Sequence, residues 1–240
     1  MKKLKTSFCC IIIEFMIIIC VALANRYPKP LFYFFFYNVL YGIVLSFLFP
    51  LFMLYKEKNK LYSMGLKPLH RRQIIVMLIF VGFSVGGQLI PIAASGGVIP
   101  WKVLPVGVIP LIMTTFFEEF LFRGFFQSRL EKEFGMLPAI LISGLMFSLY
   151  HIGYPGFRTF GNLLLLFAVG VGFAAAYKLS GNNLVVAYFV NLPNAFVTYV
   201  LKFEQFPVMT MSSIIAGVVT LCMIIAGFIL WQRHFYPQPL

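Results

Sequence analysis

Three ionisable residues interrupt a long apolar stretch of the sequence: Glu118, Glu119 and Arg123. An ionisable group at the centre of a bilayer costs about 2.5–3.5 kcal/mol, so this concentration of charge needs a physical reason. Glu119 and Arg123 are four positions apart and can pair on one helix face. Glu118 points about 100° away from them and has no partner on its own helix, which suits it to act as a general base. The alternative is a buried ion cluster that only holds helices together.

Two other apolar stretches also contain polar residues. His151 ends the stretch 147–151, and Asn191, Pro193 and Asn194 lie inside a later one. His151 is either a catalytic residue or a structural histidine in the protein interior. The two amides and the proline indicate opened backbone that lines a cavity, or a simple packing kink.

The composition indicates a membrane protein. Of the 240 residues, 61% are apolar and 11% are charged, against about 45–50% and about 25% in soluble domains. This excludes soluble, disordered and disulfide-stabilised classes, and the apolar runs do not alternate as barrel strands do. We predict an all-α, polytopic membrane helical bundle of about eight transmembrane helices that forms one domain over residues 1–240. The predicted spans are Ser7–Ala24, Leu31–Tyr55, Gln73–Ala94, Pro105–Leu130, Leu137–Gly153, Phe160–Lys178, Leu184–Leu201 and Met211–Trp231.

The distribution of Lys and Arg predicts the orientation. With a cytoplasmic N-terminus, thirteen of the 19 basic residues face the cytoplasm, five face outside and Arg123 lies within a span. Both termini are therefore expected to be cytoplasmic, and residues 56–72 form a basic cytoplasmic loop. The anionic inner leaflet explains the net charge of +12, so we expect no nucleic-acid partner. Residues 1–24 also fit a cleavable signal peptide, which would leave seven helices and an outside N-terminus.

Helix geometry predicts that the polar positions share one layer of the membrane. At about 1.5 Å per residue from the cytoplasmic helix ends, Glu118, His151 and Asn191 lie about 17, 21 and 11–15 Å deep. We infer a shared, water-filled polar chamber inside the bundle.

Small residues at helical spacing predict where helices pack closely. The cysteines lie in apolar runs without metal-ligand spacing and are expected to be buried, inert thiols. The small residues are Gly82, Gly86, Ala168, Gly172 and Ala176, and the cysteines are Cys9, Cys10, Cys20 and Cys222.

These motifs together resemble the CPBP family of intramembrane proteases, which includes the CAAX proteases and the bacteriocin-processing (Abi) enzymes. The resemblance rests on Glu118-Glu119-x-x-x-Arg123, on Phe147-x-x-x-His151 and on an asparagine-bearing helix, and covers about residues 105–200. Residues 62–66 also resemble a short Leu-Gly-Leu-like element. The resemblance implies hydrolysis of a peptide bond within the membrane. Glu118 and His151 would position and deprotonate a water, and Glu119 and Arg123 would brace Glu118.

The third motif of that family, His-x-x-x-Asn, is incomplete in this sequence. If Asn194 matches the family asparagine, Val190 takes the place of the histidine. Alternatively, Asn191 replaces the histidine and Asn194 follows three positions later. An amide can donate to an oxyanion as a neutral histidine does, but the loss of one donor costs about 10²–10³ in rate. A weakened or inactive member that acts as a membrane scaffold or immunity protein is therefore the alternative function.

We expect no metal or other cofactor. Glu118, Glu119 and His151 could in principle bind zinc, but Glu119 is expected to pair with Arg123. The expected partners are the lipid bilayer and a hydrophobic peptide, lipid-linked peptide or membrane protein as substrate. The resemblance implies a bacterial cell membrane and a role in peptide-signal or bacteriocin processing or immunity. The lack of an internal repeat disfavours a transporter.

Overall fold

The computed structural model describes residues 2–27, 29–94, 96 and 104–201, and every regular element among them is a helix. The predicted span Met211–Trp231 and Cys222 lie outside the described residues. The helices are α1 (Lys2–Arg26), α2 (Pro30–Met53), α3 (Lys60–Ser63), α4 (Arg71–Ala94), α5 (residues 104–134), α6 (Met136–Gly153), α7 (Phe160–Leu179) and α8 (Leu184–Phe196, continued by Val197–Leu201).

Five of these helices are long and apolar enough to cross a membrane, and α8 is a shorter apolar helix. The all-α bundle of a multi-pass membrane protein is therefore confirmed, whereas the number of eight spans stays a prediction. The five segments are Ser7–Arg26, Pro30–Met53, Arg71–Ile90, Met136–Gly153 and Phe160–Leu179.

Three of the described helices contain π-helical segments. These cover Phe34–Leu48 in α2, Glu119–Gln127 in α5 and Val197–Leu201 in α8. A π-helical turn closes i→i+5 hydrogen bonds and is frequent at functional sites. In α5 it begins directly after Glu118, and all 9 of its residues are buried. This widened segment contains Glu119 and Arg123, whose side chains lie in the interior of the bundle.

Two glycines allow α6 and α7 to approach closely. A Cβ atom added to Gly170 would lie 2.9 Å from both the Gly144 carbonyl oxygen and the Phe147 ring. One added to Gly144 would lie 2.7 Å from a methyl carbon of Val171. Real Cβ atoms essentially never come so close to backbone, so neither position can hold a larger residue without separating the helices.

Among the described residues, the predicted packing role of the other small residues is seen only for Ala176, which is fully buried. No atom of the described residues lies within 4 Å of a Cβ built on Gly82 or Gly172, and the Cβ of Gly86 would meet only Ile90 of its own helix. Ala168 is exposed. Spacing alone does not determine which face of an apolar helix meets its neighbours, because lipid-facing and protein-facing residues are equally apolar.

α1 is a packed element of the bundle. Ile13, Ile17, Val21 and Ala24 are almost completely buried. A Cβ atom added to Gly153, at the end of α6, would lie 2.8 Å from the side chain of Val21. The turn that follows His151 thus rests directly on α1, a segment that the signal-peptide interpretation would remove.

One end of the bundle gathers the start of α1, the basic loop and the end of α5. Arg129 forms an ion pair with Glu57 of the loop, and Ser7 donates to Glu133 at 2.8 Å. Partial burial acts to raise the pKa of Glu57, but hydrogen bonds from Arg129 and Ser63 outweigh it and lower that pKa. The helix ends that the positive-inside rule assigns to one side therefore meet at one end of the fold.

The basic loop packs against the bundle. Met64 is fully buried, and the Leu184 N–H donates to the Gly65 carbonyl oxygen at 2.7 Å. Gly65 adopts a φ of +95°, a left-handed conformation that glycine adopts without strain. The carbonyl of Asn182 and the ring of Tyr177 would each lie within 3 Å of a Cβ atom at this position.

We predict that Gly170→Ala lowers the thermal stability of the protein, because the new methyl group forces α6 and α7 apart. Overpacking of this kind costs about 1–3 kcal/mol. The measurement is the melting temperature of the purified protein in detergent.

The matched control is Gly172→Ala on the same helix, which gains helix propensity and meets no described neighbour. Its melting temperature should equal or exceed that of the wild type. Equal losses of stability in the two variants would contradict this account of the α6–α7 contact.

Candidate active site

Arg123 is the most deeply buried charge of the site. Its exposed fraction is 0%, and its guanidinium carbon lies 4.8 Å from the ring centroid of Phe147 and 5.5 Å from that of Phe173. Nη2 donates to the Gly170 carbonyl oxygen at 2.8 Å, and Nε lies 3.5 Å from Glu119 Oε2. The predicted Glu119–Arg123 pair is therefore present, and it is enclosed by aromatic faces and a backbone carbonyl that favour the cation.

Asn191 bridges the two carboxylates. Its Nδ2 atom donates to Glu118 Oε2 at 2.9 Å and to Glu119 Oε1 at 2.8 Å. The exposed fractions of these three side chains are at most 4%. Two adjacent acidic groups at this depth repel each other when both are charged. The Asn191 amide of α8 offsets this repulsion, because it supplies one donor to each of the two carboxylates of α5.

Tyr150 joins Glu118 to His151. The Tyr150 hydroxyl donates to Glu118 Oε1, and the Tyr150 and His151 ring centroids are 4.0 Å apart. Glu118 and His151 thus lie on either side of one aromatic residue rather than in a direct hydrogen bond. The positions from α5, α6 and α8 lie close together, as the depth arithmetic predicts.

The tautomer of His151 follows from its backbone partner. Nδ1 lies 2.7 Å from the Phe147 carbonyl oxygen, which can only accept, so Nδ1 carries the hydrogen. Nε2 of the neutral ring then has a lone pair. The Tyr199 hydroxyl lies 3.3 Å from that nitrogen and donates to it. His151 consequently presents a proton acceptor toward the interior.

Asn194 lies apart from the carboxylates. Its Oδ1 atom accepts from Ser84 at 2.6 Å and from Gln88 at 2.8 Å, both on α4. Val190, at the position that a family histidine would take, is 1% exposed in an apolar environment. The structure therefore separates the two amides, with Asn191 facing the acids and Asn194 facing α4.

A cleft of about 150 Å³ lies beside Glu119. It lies among side chains of α5, α8 and the basic loop and its exposed surface is apolar, so it could hold a hydrophobic group beside the helix turn that carries Glu119. Its lining consists of Leu66, Phe116, Glu119, Phe120, Leu184, Val185 and Tyr188.

The comparison with known families agrees with the motifs. Residues 100–197 match the family model described as Rce1-like, type II CAAX prenyl endopeptidase Rce1-like. This segment, called Rce1-like below, is similar to that family. The match confirms the resemblance to CAAX proteases, and at the level of the family it supports a membrane-embedded protease. None of the curated proteins matches the chain.

All six predicted site residues lie within the Rce1-like segment, but one of its tyrosines and three residues outside it were missed. Tyr150 and Tyr199 contact Glu118 and His151, and Ser84 and Gln88 contact Asn194. A glutamine inside the span Arg71–Ile90 was a usable signal, because an amide in a lipid-facing helix needs a partner. A tyrosine among so many aromatic residues offered no comparable signal.

No group of three or more His, Cys, Asp or Glu side chains that could hold a metal ion occurs in the part of the chain that the structure describes. Glu119 directs its carboxylate to Arg123 and Asn191. Cys10 and Cys20 are buried in the apolar core, as predicted, whereas Cys9 is partly exposed. None of these cysteines has a predicted role in the Rce1-like site.

We predict that Asn191→Asp destabilises the Rce1-like site, because a third carboxylate replaces the donor that bridges Glu118 and Glu119. A hydrogen bond to a charged group is worth about 1.5–3 kcal/mol, and two would be lost. The melting temperature in detergent at neutral pH should fall and should recover partly at acidic pH, where a carboxyl group can carry a proton and donate.

Asn162→Asp is a suitable control, because it also loses an amide donor, here to the Gly156 carbonyl oxygen at 3.0 Å, but at the exposed first turn of α7, where a negative charge is favourable. Its melting temperature should change much less than that of Asn191→Asp. A pH-independent loss in Asn191→Asp would argue against like-charge repulsion as the cause.

Proposed function

We propose that this protein is an intramembrane endopeptidase that hydrolyses a peptide bond in a hydrophobic peptide, a lipid-linked peptide or a membrane protein. The observation that carries the proposal is the buried cluster in which Glu118 and His151 both adjoin Tyr150, within a segment that matches CAAX prenyl endopeptidases. The proposed setting is the processing of peptide signals or bacteriocins, or immunity to them.

In the proposed reaction, Glu118 is the general base and His151 orients the nucleophilic water. The lone pair on Nε2 accepts one hydrogen of the water, in place of the Tyr199 hydroxyl, while Glu118 removes the other as a proton. The water oxygen attacks the carbonyl carbon, and the carbonyl π electrons move to its oxygen. Glu118 then returns the proton to the leaving nitrogen as the C–N bond breaks, so no bond to the protein forms.

Glu119, Arg123 and Asn191 serve to hold Glu118 in place. Arg123 neutralises Glu119, which leaves Glu118 as the carboxylate without a cationic partner on its own helix. Asn191 and Tyr150 each donate to one oxygen of Glu118, and each oxygen has a further lone pair for a water. A base fixed in this way needs little reorganisation during the reaction.

The oxyanion donor in this proposal is Asn194. Both hydrogens on Nδ2 of Asn191 are used by Glu118 and Glu119, so that amide has none left for an oxyanion. The Nδ2 atom of Asn194 donates to none of the described residues and lies on the side of its amide opposite Ser84 and Gln88. Asn194 is three positions from Asn191, so the two amides are separated by less than one turn of α8.

The second candidate function is a membrane scaffold or immunity protein that binds its partner without cleaving it. The observation that favours it is Val190, a buried apolar residue where the family motif has a histidine donor. A missing donor reduces catalysis by about 10²–10³ and leaves binding intact.

We further propose that both termini face the cytoplasm of a bacterial cell. The contacts Ser7–Glu133 and Arg129–Glu57 support this orientation, because they join the start of α1, the basic loop and the end of α5 at one end of the bundle. That end carries most of the Lys and Arg residues of the described helix termini, as expected for the cytoplasmic side.

We expect Glu118→Gln and His151→Ala each to reduce peptide cleavage by at least about 10²-fold, because each removes a group that handles the proton of the water. Purified protein in detergent is incubated with a panel of hydrophobic and lipid-linked peptides, and the products are read by mass spectrometry.

The matched control is Glu14→Gln, which replaces an acidic side chain of α1 that is 5% exposed, nearly as buried as Glu118. It should cleave at the wild-type rate. Cleavage that persists in both active-site variants would contradict the hydrolase. An immunity phenotype that survives Glu118→Gln but is lost in Gly170→Leu would instead support the scaffold.

The orientation predicts which exposed positions react with an impermeant thiol reagent in intact cells. In a cysteine-free background, Arg158→Cys should be labelled from outside, whereas Lys132→Cys should be labelled only after the membrane is opened. Both residues are exposed in the structure, so access to the reagent is set by the side of the membrane. The reverse pattern would contradict the proposed orientation.

A further inference from the structure

We propose that Gln88 of α4, assisted by Ser84, is a positioning residue that turns the Asn194 amide so that its N–H₂ group faces the reacting carbonyl. The inference rests on the proposed function and goes beyond it, because it assigns a role in the site to a helix outside the segment of residues 100–197. The four polar side chains that carry it form one network: Ser84, Gln88, Asn194 and Thr198.

The network has short hydrogen bonds throughout. Oδ1 of Asn194 accepts from the Ser84 hydroxyl at 2.6 Å and from Nε2 of Gln88 at 2.8 Å. The Thr198 hydroxyl donates to Oε1 of Gln88 at 2.9 Å. These contacts connect α4 to α8 at two successive turns of α8.

The direction of the network is set by a backbone group. Side-chain amides can be turned over without changing their shape, and hydroxyl groups donate or accept equally well. However, Nε2 of Gln88 also lies 3.3 Å from the Ser84 carbonyl oxygen, which can only accept. This contact requires the nitrogen of Gln88 on that side, so Gln88 donates to Asn194, and the atom of Asn194 that faces α4 is its oxygen.

The consequence for Asn194 is that its donor group points away from α4. Nδ2 donates to none of the described residues, although the exposed fraction of Asn194 is 8%. An amide nitrogen at this depth with two unused hydrogens suits a transient acceptor such as an oxyanion. If the amide were free to turn over, its oxygen would face the oxyanion half of the time and repel it.

The other side chains of α4 contrast with this polar network. The neighbouring side chains Phe83, Ile79 and Leu78 are 84%, 62% and 59% exposed, as expected for a lipid-facing helix. A glutamine in such a helix costs free energy unless it is bonded to another helix. Gln88 and Ser84 face inward and contact one residue in common, Asn194.

The experiment measures kcat and KM for peptide cleavage in wild type, Gln88→Met, Ser84→Ala, Asn194→Ala and the double variant Gln88→Met/Asn194→Ala. Methionine matches the length of glutamine but cannot donate. We expect kcat to fall at least 10-fold in Gln88→Met and less in Ser84→Ala, with KM unchanged in both. Asn194→Ala should lose about 10²–10³ in kcat, as for the loss of an oxyanion donor.

The double variant separates positioning from a general structural role. If Gln88 acts through Asn194, adding Gln88→Met to Asn194→Ala should cause no further loss, whereas independent effects multiply.

Gln73→Met is the matched control, because Gln73 lies on the same helix and donates to the Ser180 carbonyl oxygen at 2.8 Å, far from the site. Its kcat should equal that of the wild type. Melting temperatures identify any variant whose loss comes from unfolding.

Four results would overturn the inference. One is a wild-type kcat in both folded variants, Gln88→Met and Ser84→Ala, while Glu118→Gln is inactive; the hydrolase then stands and the positioning role falls. Another is a multiplicative loss in the double variant, or full activity in Asn194→Ala. The last is a wild-type protein that shows no Glu118-dependent cleavage, which overturns the proposed function and this role together. Because Ser84→Ala removes only one hydroxyl, it tests the inference even if Gln88→Met fails to fold.

Discussion

The structure depends on the compensation of one buried positive charge. Arg123 has no access to water, and its guanidinium is surrounded by the Glu119 carboxylate, the Gly170 carbonyl and the rings of Phe147 and Phe173. Removal of one partner from such an arrangement leaves a charge uncompensated in an apolar medium, which is far more costly than the loss of a surface ion pair. The helices that supply these groups, α5, α6 and α7, are therefore held in one arrangement by a single side chain.

Close helix packing and the charged site are connected through Gly170. Its missing side chain allows α7 to touch α6, and the same residue offers its carbonyl oxygen to Arg123. A carbonyl oxygen already bonded within a helix has a second lone pair, which a guanidinium can use. The missing side chain of Gly170 thus determines not only the helix packing but also how far Arg123 reaches and, through Glu119 and Asn191, where Glu118 is held.

The sequence was sufficient to find the charged residues and their common depth, because ionisable groups are rare in apolar helices and the rise per residue is constant. Glu118, Glu119, Arg123, His151 and Asn191 were found in this way. It was not sufficient to predict the Tyr150 contact, the π-helical turn that starts at Glu119 or the direction of Asn194. Those depend on helix rotation and on contacts between distant segments, which hydropathy does not encode. The same limit explains why Gly82 and Gly172 were given packing roles although they meet no neighbour among the described residues, while Gly144 and Gly170 were overlooked.

The contact between Val21 and Gly153 has a consequence for how the site can be isolated. The turn that follows His151 packs against α1, and Asn194 accepts hydrogen bonds from α4, although both helices lie outside residues 100–197. The matched region is therefore not an autonomous module. Excising it, or grafting it onto another set of helices, would remove the α1 contact beside His151 and the α4 hydrogen bonds to Asn194. The first four helices therefore belong to the smallest unit that can keep this geometry.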